Sequence, residues 1–195
     1  MNKDAKIYVA GHRGLVGQAM VRQLRVCGYN NLVVRTRQEL DPSRQSEVCD
    51  FFADQKPEYV FCAAAVVGGI NANSDFPADF LGKNLMIQTN LVDSAYRFRV
   101  DKLLFLGSSC VMPREAPQPM KEEYILTGPL EETNEWYAIA KIAGLKMCQS
   151  YRRQYGFNAI GVLPTNLFGL DDNFDLETSH VPAALMRKMH DAKVS

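Results

Sequence analysis

Tyr137 and Lys141 stand four residues apart in the segment WYAIAKIAGLKM, and two serines, Ser108 and Ser109, follow an apolar run further upstream. Residues at i and i+4 share one face of an α-helix, so the tyrosine and the lysine can face one pocket. A neighbouring ammonium favours the phenolate and lowers the pKa of a tyrosine from about 10. The pattern predicts a tyrosine that exchanges protons near neutral pH, beside a serine that hydrogen-bonds the same substrate oxygen.

A glycine triplet lies close to the N-terminus. Gly11, Gly14 and Gly17 occur in AGHRGLVG, between an apolar strand-like run at 6–10 and an amphipathic helical pattern. Such glycines allow a tight turn and a close approach to a pyrophosphate, and the helix N-terminus supplies N–H donors. The triplet predicts a dinucleotide-binding turn because the required strand and helix flank it.

Basic residues follow the second predicted strand. NAD sites have an acidic residue at this position, which accepts a hydrogen bond from the ribose 2′-hydroxyl. This chain has Arg35 and Arg37 there, with Glu39 only later, and Arg13 lies inside the glycine turn. Guanidinium groups bind phosphate through paired charge-assisted hydrogen bonds. The sequence therefore favours NADP(H), whose ribose carries a 2′-phosphate.

Predicted strands and helices alternate along the chain. Strands are expected at 6–10, 32–34, 59–65, 103–106 and 158–163, and the main helices at 15–27, 46–55, 77–98, 137–155 and 181–192. Alternation of this kind predicts a doubly wound α/β fold with a parallel sheet and right-handed crossovers. A complete fold of this type has at least six strands, so we expect part of it to lie beyond the chain.

Composition excludes several functional classes. The 195 residues suit one domain, and a formal net charge of zero gives no support to nucleic-acid binding. The five cysteines are scattered and form no CxxC pair, so we expect no disulfide framework, no metal site and a cytoplasmic location. No signal peptide and no membrane-spanning run are expected from the apolar pattern.

The motifs, taken together, resemble the extended short-chain dehydrogenase/reductase family, and within it the GDP-L-fucose synthases. The likeness is collinear over nearly the whole chain. It is carried by AGHRGLVG, RTRQEL, AAAVVGGI, LLFLGSSCVMP, LEETNEWYAIAKIAGLKMC, PTNLFG and SHV. The resemblance implies a Rossmann fold, NADP(H) as the cofactor, and a homodimer formed through helices 77–98 and 137–155. It also implies that GDP-4-keto-6-deoxy-D-mannose is epimerised at C3 and C5 and reduced at C4 to GDP-L-fucose.

The resemblance also implies the site residues. The reductase triad is Ser108, Tyr137 and Lys141, and the acid–base pair for epimerisation is Cys110 and His180. The residues implied for cofactor binding are Gly11, Arg13, Gly14, Leu15, Val16, Gly17, Arg37, Ala63, Ala64, Lys141, Pro164, Asn166, Leu167 and His180. The residues implied for substrate binding are Ser108, Ser109, Asn166 and Lys188. Lys188 stands where the family has an arginine, which keeps the charge but loses bidentate geometry.

The family comparison further implies a division into two domains. Residues 1–165 would form the NADP-binding domain, and residues 166–195 would begin a substrate-binding lobe that is largely absent from this chain. Two alternatives to the full epimerase-reductase follow. The chain could be a non-catalytic NADP-binding module, or a related nucleotide-sugar epimerase or dehydratase. Cys110 and His180 disfavour the latter, because simple C4 epimerases need no such pair.

Overall fold

The computed structural model describes residues 1–176 and 179–194. A five-stranded parallel sheet runs through the centre of the molecule, with the strand order β2-β1-β3-β4-β5. The strands are β1 Ile7–Ala10, β2 Leu32–Val33, β3 Tyr59–Cys62, β4 Lys102–Leu106 and β5 Ala159–Val162. The predicted strands are confirmed in number and order along the chain.

Six helices accompany the sheet. They are α1 Leu15–Val26, α2 Gln45–Gln55, α3 Ile70–Asp75, α4 Pro77–Arg97, α5 Glu135–Tyr155 and α6 Val181–Val194. Local chemistry sets several boundaries, as where Pro77 occupies the first turn of α4 and Gly156 ends α5 in the left-handed conformation. The sequence did not predict α3, which is short. Between 112 and 134 the chain forms a loop that contains two short 3₁₀ turns.

The core has two layers because helices cover both faces of the sheet. On one face, Tyr8, Val60 and Phe105 pack against α2, α4 and α5. On the other face, Ile7 and Val9 pack against Leu24 of α1. All four residues of β1 are buried, as expected for a central parallel strand. The doubly wound prediction is therefore confirmed.

The strand order places the functional edge. The chain runs from β1 outward to β2 and then crosses back to β3 on the other side of β1. In open α/β sheets, ligands bind beyond the carboxyl ends of the strands at such a reversal. Gly11, Ala63 and Gly107 follow three of these ends directly. Within the described residues, no helix has both the length and the apolar character to cross a membrane.

Candidate functional site

The crevice begins where Gly11 meets the end of β3. Gly11 has a φ of +82°, and a Cβ placed on it would lie 2.7 Å from the Ala64 nitrogen and 2.8 Å from the Ala63 carbonyl oxygen. Only glycine fits there, because both the backbone angle and the space exclude a side chain. The contact joins the turn after β1 to the segment after β3. Ala63 and Ala64 thus lie at the predicted cofactor crevice.

The three glycines of the turn differ in the space that surrounds each of them. A Cβ on Gly17 would collide with the Gly11 carbonyl oxygen and lie 2.8 Å from the His12 Cα. A Cβ on Gly14 would meet only the Gly11 oxygen, at an ordinary 3.6 Å. The packing of the chain therefore demands Gly11 and Gly17 but leaves open space at Gly14. Open space at the middle glycine is what the close approach of a pyrophosphate requires.

The N-terminus of α1 also fits an anion. Gly14 is its N-cap, and within the described part of the chain no side-chain hydrogen bond caps this helix end. The first N–H groups of a helix have no partner within the helix, and they attract negative charge. Leu15 and Val16 supply the first two of them, and Arg13 is exposed beside them. The turn also contains an orphaned polar atom, since Nδ1 of His12 is buried and has no hydrogen-bond partner among the residues that the structure describes.

The segment after β2 contains the basic and the acidic side chains that bear on the choice between NADP(H) and NAD(H). Arg37 is exposed, and its Nε lies 3.6 Å from an Asp41 oxygen. Arg35 is partly buried and donates to the Val34 carbonyl at 2.8 Å. Glu39 Oε2 accepts hydrogen bonds from the Thr36 N–H and hydroxyl at 2.7 and 2.8 Å, which lower the pKa of its carboxyl. Glu39 is thus already engaged by the turn, whereas the Arg37 guanidinium is open to solvent.

A tight turn after β4 holds the predicted serine and cysteine. It is a 3₁₀ turn over Ser109–Val111, and the Oγ of Ser108 accepts a hydrogen bond from the Cys110 N–H at 3.2 Å. This bond occupies an acceptor position of the hydroxyl, so its O–H is free to donate. The Ser109 N–H donates to the Pro164 carbonyl at 3.1 Å, which ties the turn to the segment after β5.

Helix α5 brings Tyr137 and Lys141 to this turn. Lys141 is 3% exposed, and its Nζ donates to the Leu106 carbonyl oxygen at 2.8 Å, two residues before Ser108. The same Nζ lies 5.6 Å from the centre of the Tyr137 ring. The Cys110 thiol acts electrostatically on the Tyr137 phenol. The predicted group of Ser108, Cys110, Tyr137 and Lys141 therefore converges at the end of β4.

The predicted direction of the Tyr137 pKa is wrong for this structure. Burial raises the pKa of the phenol, and the nearby Cys110 raises it further. Burial also lowers the pKa of Lys141 to about 8, although Cys62 raises it in part. The reason is desolvation, which disfavours both charged forms, while the Lys141 hydrogen bond goes to Leu106. The phenol of Tyr137 therefore keeps its proton near neutral pH.

Other predicted residues stay apart from this cluster. Pro164 reaches it through Ser109, but Asn166 and Leu167 are exposed after β5. His180 is exposed just before α6, where its carbonyl accepts the Ala184 N–H at 3.0 Å, and Lys188 is exposed on that helix. Among the described residues, no hydrogen bond joins His180 or Lys188 to the Tyr137 group. Their predicted roles remain predictions.

The sequence reasoning missed one buried residue that shapes the crevice. Asn84 of α4 is 2% exposed, and its side chain both accepts from the Val66 N–H at 2.8 Å and donates to the Val66 carbonyl at 3.0 Å. It thereby holds the segment that follows Ala63 and Ala64. The available signal was a polar residue at a position that the helical pattern places on the buried face of α4.

The family comparison agrees with this geometry. A model of the NAD dependent epimerase/dehydratase family matches residues 7–195. The chain belongs to that family. Within the NAD dependent epimerase/dehydratase family, it is 61% identical over 194 residues to GDP-L-fucose synthase 1 of Arabidopsis thaliana, covering 100% of this chain and 60% of that protein. It is 53% identical over 187 residues to the GDP-L-fucose synthase of Escherichia coli K12, covering 96% of this chain and 58% of that protein.

A solved structure places the same epimerase/dehydratase fold beside a bound dinucleotide. The GDP-mannoheptose C4 reductase MlghC from Campylobacter jejuni, with NADP bound, superposes with a TM-score of 0.92 at 47% identity. The match covers 100% of this chain and 57% of that one. The chain thus spans about 60% of the length of the curated relatives it matches.

Proposed function

We propose that this chain carries the cofactor site and the acid–base groups of an NADPH-dependent epimerase-reductase. Its reaction would epimerise GDP-4-keto-6-deoxy-D-mannose at C3 and C5 and reduce C4, giving GDP-L-fucose. One observation carries the proposal: the turn after β4 holds a hydroxyl and a thiol, Ser108 and Cys110, beside Tyr137 of α5. The names of relatives that are 61% and 53% identical support the same substrate.

The reductive step uses three side chains in this proposal. The Ser108 hydroxyl donates to the C4 carbonyl oxygen, since the Cys110 N–H occupies an acceptor position of that hydroxyl. Tyr137 donates its proton to the same oxygen, and the raised pKa of its phenol keeps that proton in place until negative charge develops. Lys141 binds the ribose next to the nicotinamide. The nicotinamide supplies hydride when it is bound.

The epimerisation step uses the proposed pair Cys110 and His180. Protons on the carbons beside a ketone are acidic because the enolate is stabilised by resonance. Removal from one ring face and return to the other need two groups, and a thiol and an imidazole have suitable reference pKa values of about 8.5 and 6.5. In this proposal Cys110, which is close enough to Tyr137 to raise the pKa of its phenol, faces the same substrate carbonyl.

The proposed cofactor is NADP(H). Open space at Gly14, the free N-terminus of α1 and the orphaned His12 nitrogen all fit a pyrophosphate in the glycine turn. Arg13 and Arg37 are exposed guanidinium groups suited to the 2′-phosphate. The NADP bound to the reductase from Campylobacter jejuni supports this choice over NAD. We propose a division at residue 165 between the cofactor domain and the start of a substrate lobe that contributes Asn166, His180 and Lys188.

Turnover by the chain itself tests the proposal. Purified protein is mixed with NADPH and GDP-4-keto-6-deoxy-D-mannose, and loss of NADPH absorbance and formation of GDP-L-fucose are followed. Tyr137→Phe should bind NADPH with unchanged affinity and lose turnover by about 10²- to 10⁴-fold. NADPH binding with no turnover by the unmodified chain would favour the non-catalytic binding module. Absence of NADPH binding would contradict both readings.

A second candidate is a C4 reductase that does not epimerise, like the activity named for the Campylobacter jejuni relative. Incorporation of solvent deuterium at C3 and C5 separates the two. Cys110→Ser should suppress deuterium incorporation while sparing reduction of a ketone that is already epimerised. Equal loss of both steps would contradict the assigned role of Cys110, and no incorporation by the unmodified chain would favour the simple reductase.

We further propose a cytoplasmic homodimer. Helices α4 and α5 pack side by side, and Met86 of α4 is 47% exposed on their outer surface. The five cysteines are all free, which fits a reducing compartment. Light scattering after gel filtration tests the dimer, and a polar substitution at Met86 should weaken it if this surface is the interface.

A further inference from the structure

A buried amide joins the two long helices behind the candidate site. Gln88 of α4 is 3% exposed, and its Nε2 donates to the Ala140 carbonyl oxygen of α5 at 2.6 Å. Carbonyl groups inside a helix already accept the N–H four residues later. The Gln88 side chain therefore gives the Ala140 carbonyl a second hydrogen bond. This bond fixes α5 against α4 at the residue that precedes Lys141.

Gly144 makes this approach possible. A Cβ on Gly144 would lie 2.8 Å from the Gln88 Oε1 and 2.8 Å from the Cε1 atom of Phe105. Gly144 is one helical turn after Ala140, so both contacts fall on the same face of α5. At this point α4, α5 and β4 meet with no room for a single methyl group. Gln88 of α4 and Phe105 of β4 both contact α5 at Gly144.

Lys141 depends on this arrangement for its own contacts. Its Nζ lies 4.9 Å from the centre of the Phe105 ring and 2.8 Å from the Leu106 carbonyl oxygen. Both partners belong to β4, so the position of the ammonium is set by the height of α5 over that strand. A slip of α5 by one residue moves it by about 1.5 Å along its axis. Such a slip would change the Lys141–Leu106 distance by up to the same amount or force the lysine side chain into another rotamer.

We propose that Gln88 is a positioning residue that fixes the register of α5 over β4 and so places Lys141, and Tyr137 one turn before it, at the end of that strand. Its consequence for turnover rests on the function proposed above. Its consequence for the Lys141 environment does not, because that environment can be measured without substrate. The positioning role of Gln88 and the proposed function can therefore be disproved independently of each other.

Asn90 provides a matched control on the same helix. It is also a buried amide, 8% exposed, and its Nδ2 donates to a backbone carbonyl, that of Pro42, at 3.0 Å. Pro42 precedes α2, so this bond does not involve α5. Replacing either amide removes one buried donor and leaves one carbonyl without that bond. Only the Gln88 substitution should alter the placement of Lys141.

The test compares Gln88→Met and Asn90→Leu in the full chain. The side-chain titration of Lys141 is followed by NMR after selective isotope labelling of lysine, with Lys141→Met used for assignment. In the unmodified chain the pKa should lie near 8 because of burial. We expect Gln88→Met to raise it by at least one unit, since α5 loosens and water reaches the ammonium, whereas Asn90→Leu leaves it unchanged.

Two further measurements keep the proposal falsifiable. Gly144→Ala should raise the Lys141 pKa in the same direction, because the added methyl pushes α5 away from Gln88 and Phe105. If the chain turns over substrate, Gln88→Met should lower kcat more than it raises KM for the sugar. An unchanged Lys141 titration in folded Gln88→Met, or an equal shift in Asn90→Leu, overturns the positioning role even if turnover is affected.

Discussion

Lys141 donates its hydrogen bond to the carbonyl oxygen of Leu106 at 2.8 Å, and the centre of the Tyr137 ring lies 5.6 Å from the same ammonium. The lysine is thus anchored to the strand that ends at the candidate site. Its charge is held by one carbonyl and the face of Phe105 in a buried position. Because this ammonium is buried, its protonation should make the free energy of unfolding depend on pH, whereas the protonation of an exposed lysine does not.

The first prediction concerns stability as a function of pH. Burial lowers the pKa of Lys141 to about 8 in the folded chain, and an unfolded lysine titrates at about 10.4. Between these values the unfolded state binds the proton and the folded state does not, so this contribution to stability rises with pH. Relative to Lys141→Met, the free energy of unfolding should rise by up to about 3 kcal/mol from about pH 8 to about pH 10.

Urea unfolding of both proteins at several pH values measures this difference. Subtracting the variant removes the contributions of the buried tyrosines and cysteines, whose raised pKa values lower stability at high pH. A difference that stays flat or falls over this interval would show that the Lys141 ammonium is not desolvated as the structure describes.

The second prediction separates the middle glycine of the turn from its neighbour. Gly14 has an extended backbone and open space, so Gly14→Ala should fold with unchanged or slightly increased stability. Its affinity for NADPH should fall at least tenfold, because the methyl occupies space needed by the pyrophosphate. Gly17→Ala is the control and should lower the free energy of unfolding by about 1–3 kcal/mol through its clash with Gly11.

Thermal unfolding and fluorescence titration with NADPH distinguish the two glycine variants. If Gly14→Ala bound NADPH as tightly as the unmodified chain, the phosphate would not lie against that glycine.

The third prediction concerns cofactor choice. Arg37→Ala should weaken NADPH binding about tenfold and leave NADH binding unchanged, because one charge-assisted contact to the 2′-phosphate is lost. Arg153→Ala removes the same charge from the far end of α5 and should change neither affinity. Isothermal titration with both dinucleotides checks the pair. An equal loss for NADPH and NADH would mean that Arg37 acts elsewhere than at the 2′ position.

The fourth prediction follows from the hydrogen bond between the Cys110 N–H and the Ser108 hydroxyl. Ser108→Ala removes the O–H donor and should lower kcat by about 10²- to 10³-fold. Ser108→Thr keeps the hydroxyl and should retain most of that activity. Steady-state kinetics compares the two variants, with NADPH affinity as the control. Equal loss in both would point to a packing role for this residue.

The sequence predicted the doubly wound fold because its strands are short apolar runs and its helices are amphipathic. It overestimated β3, which ends at Cys62, although the Ala63 N–H still donates to the Ala10 carbonyl at 3.0 Å before the chain packs against Gly11. It missed α3, whose six residues are too few for a periodic pattern. Hydrogen bonds from the Asn73 amide to the carbonyls of Gly68 and Gly69, which no spacing reveals, hold that helix in place.

Spacing alone predicted part of the arrangement at the candidate site. The four-residue interval puts Tyr137 and Lys141 on one face, whereas Cys110 was named only through the family resemblance. The direction of the Tyr137 pKa was not predictable, because it depends on how deeply the phenol and the ammonium are buried. The roles of His12 and Gln88 were not predictable, since they arise only when distant segments meet.

The tight turn that follows β4 has an evolutionary consequence. Its serine and cysteine are two residues apart and joined through one backbone amide, so inserting or deleting a residue there would displace both at once. For an enzyme of the proposed kind, an insertion or deletion in this turn would therefore affect both the reduction and the epimerisation. Related enzymes that have lost epimerisation but kept reduction should therefore carry a substitution at position 110 in a turn of unchanged length.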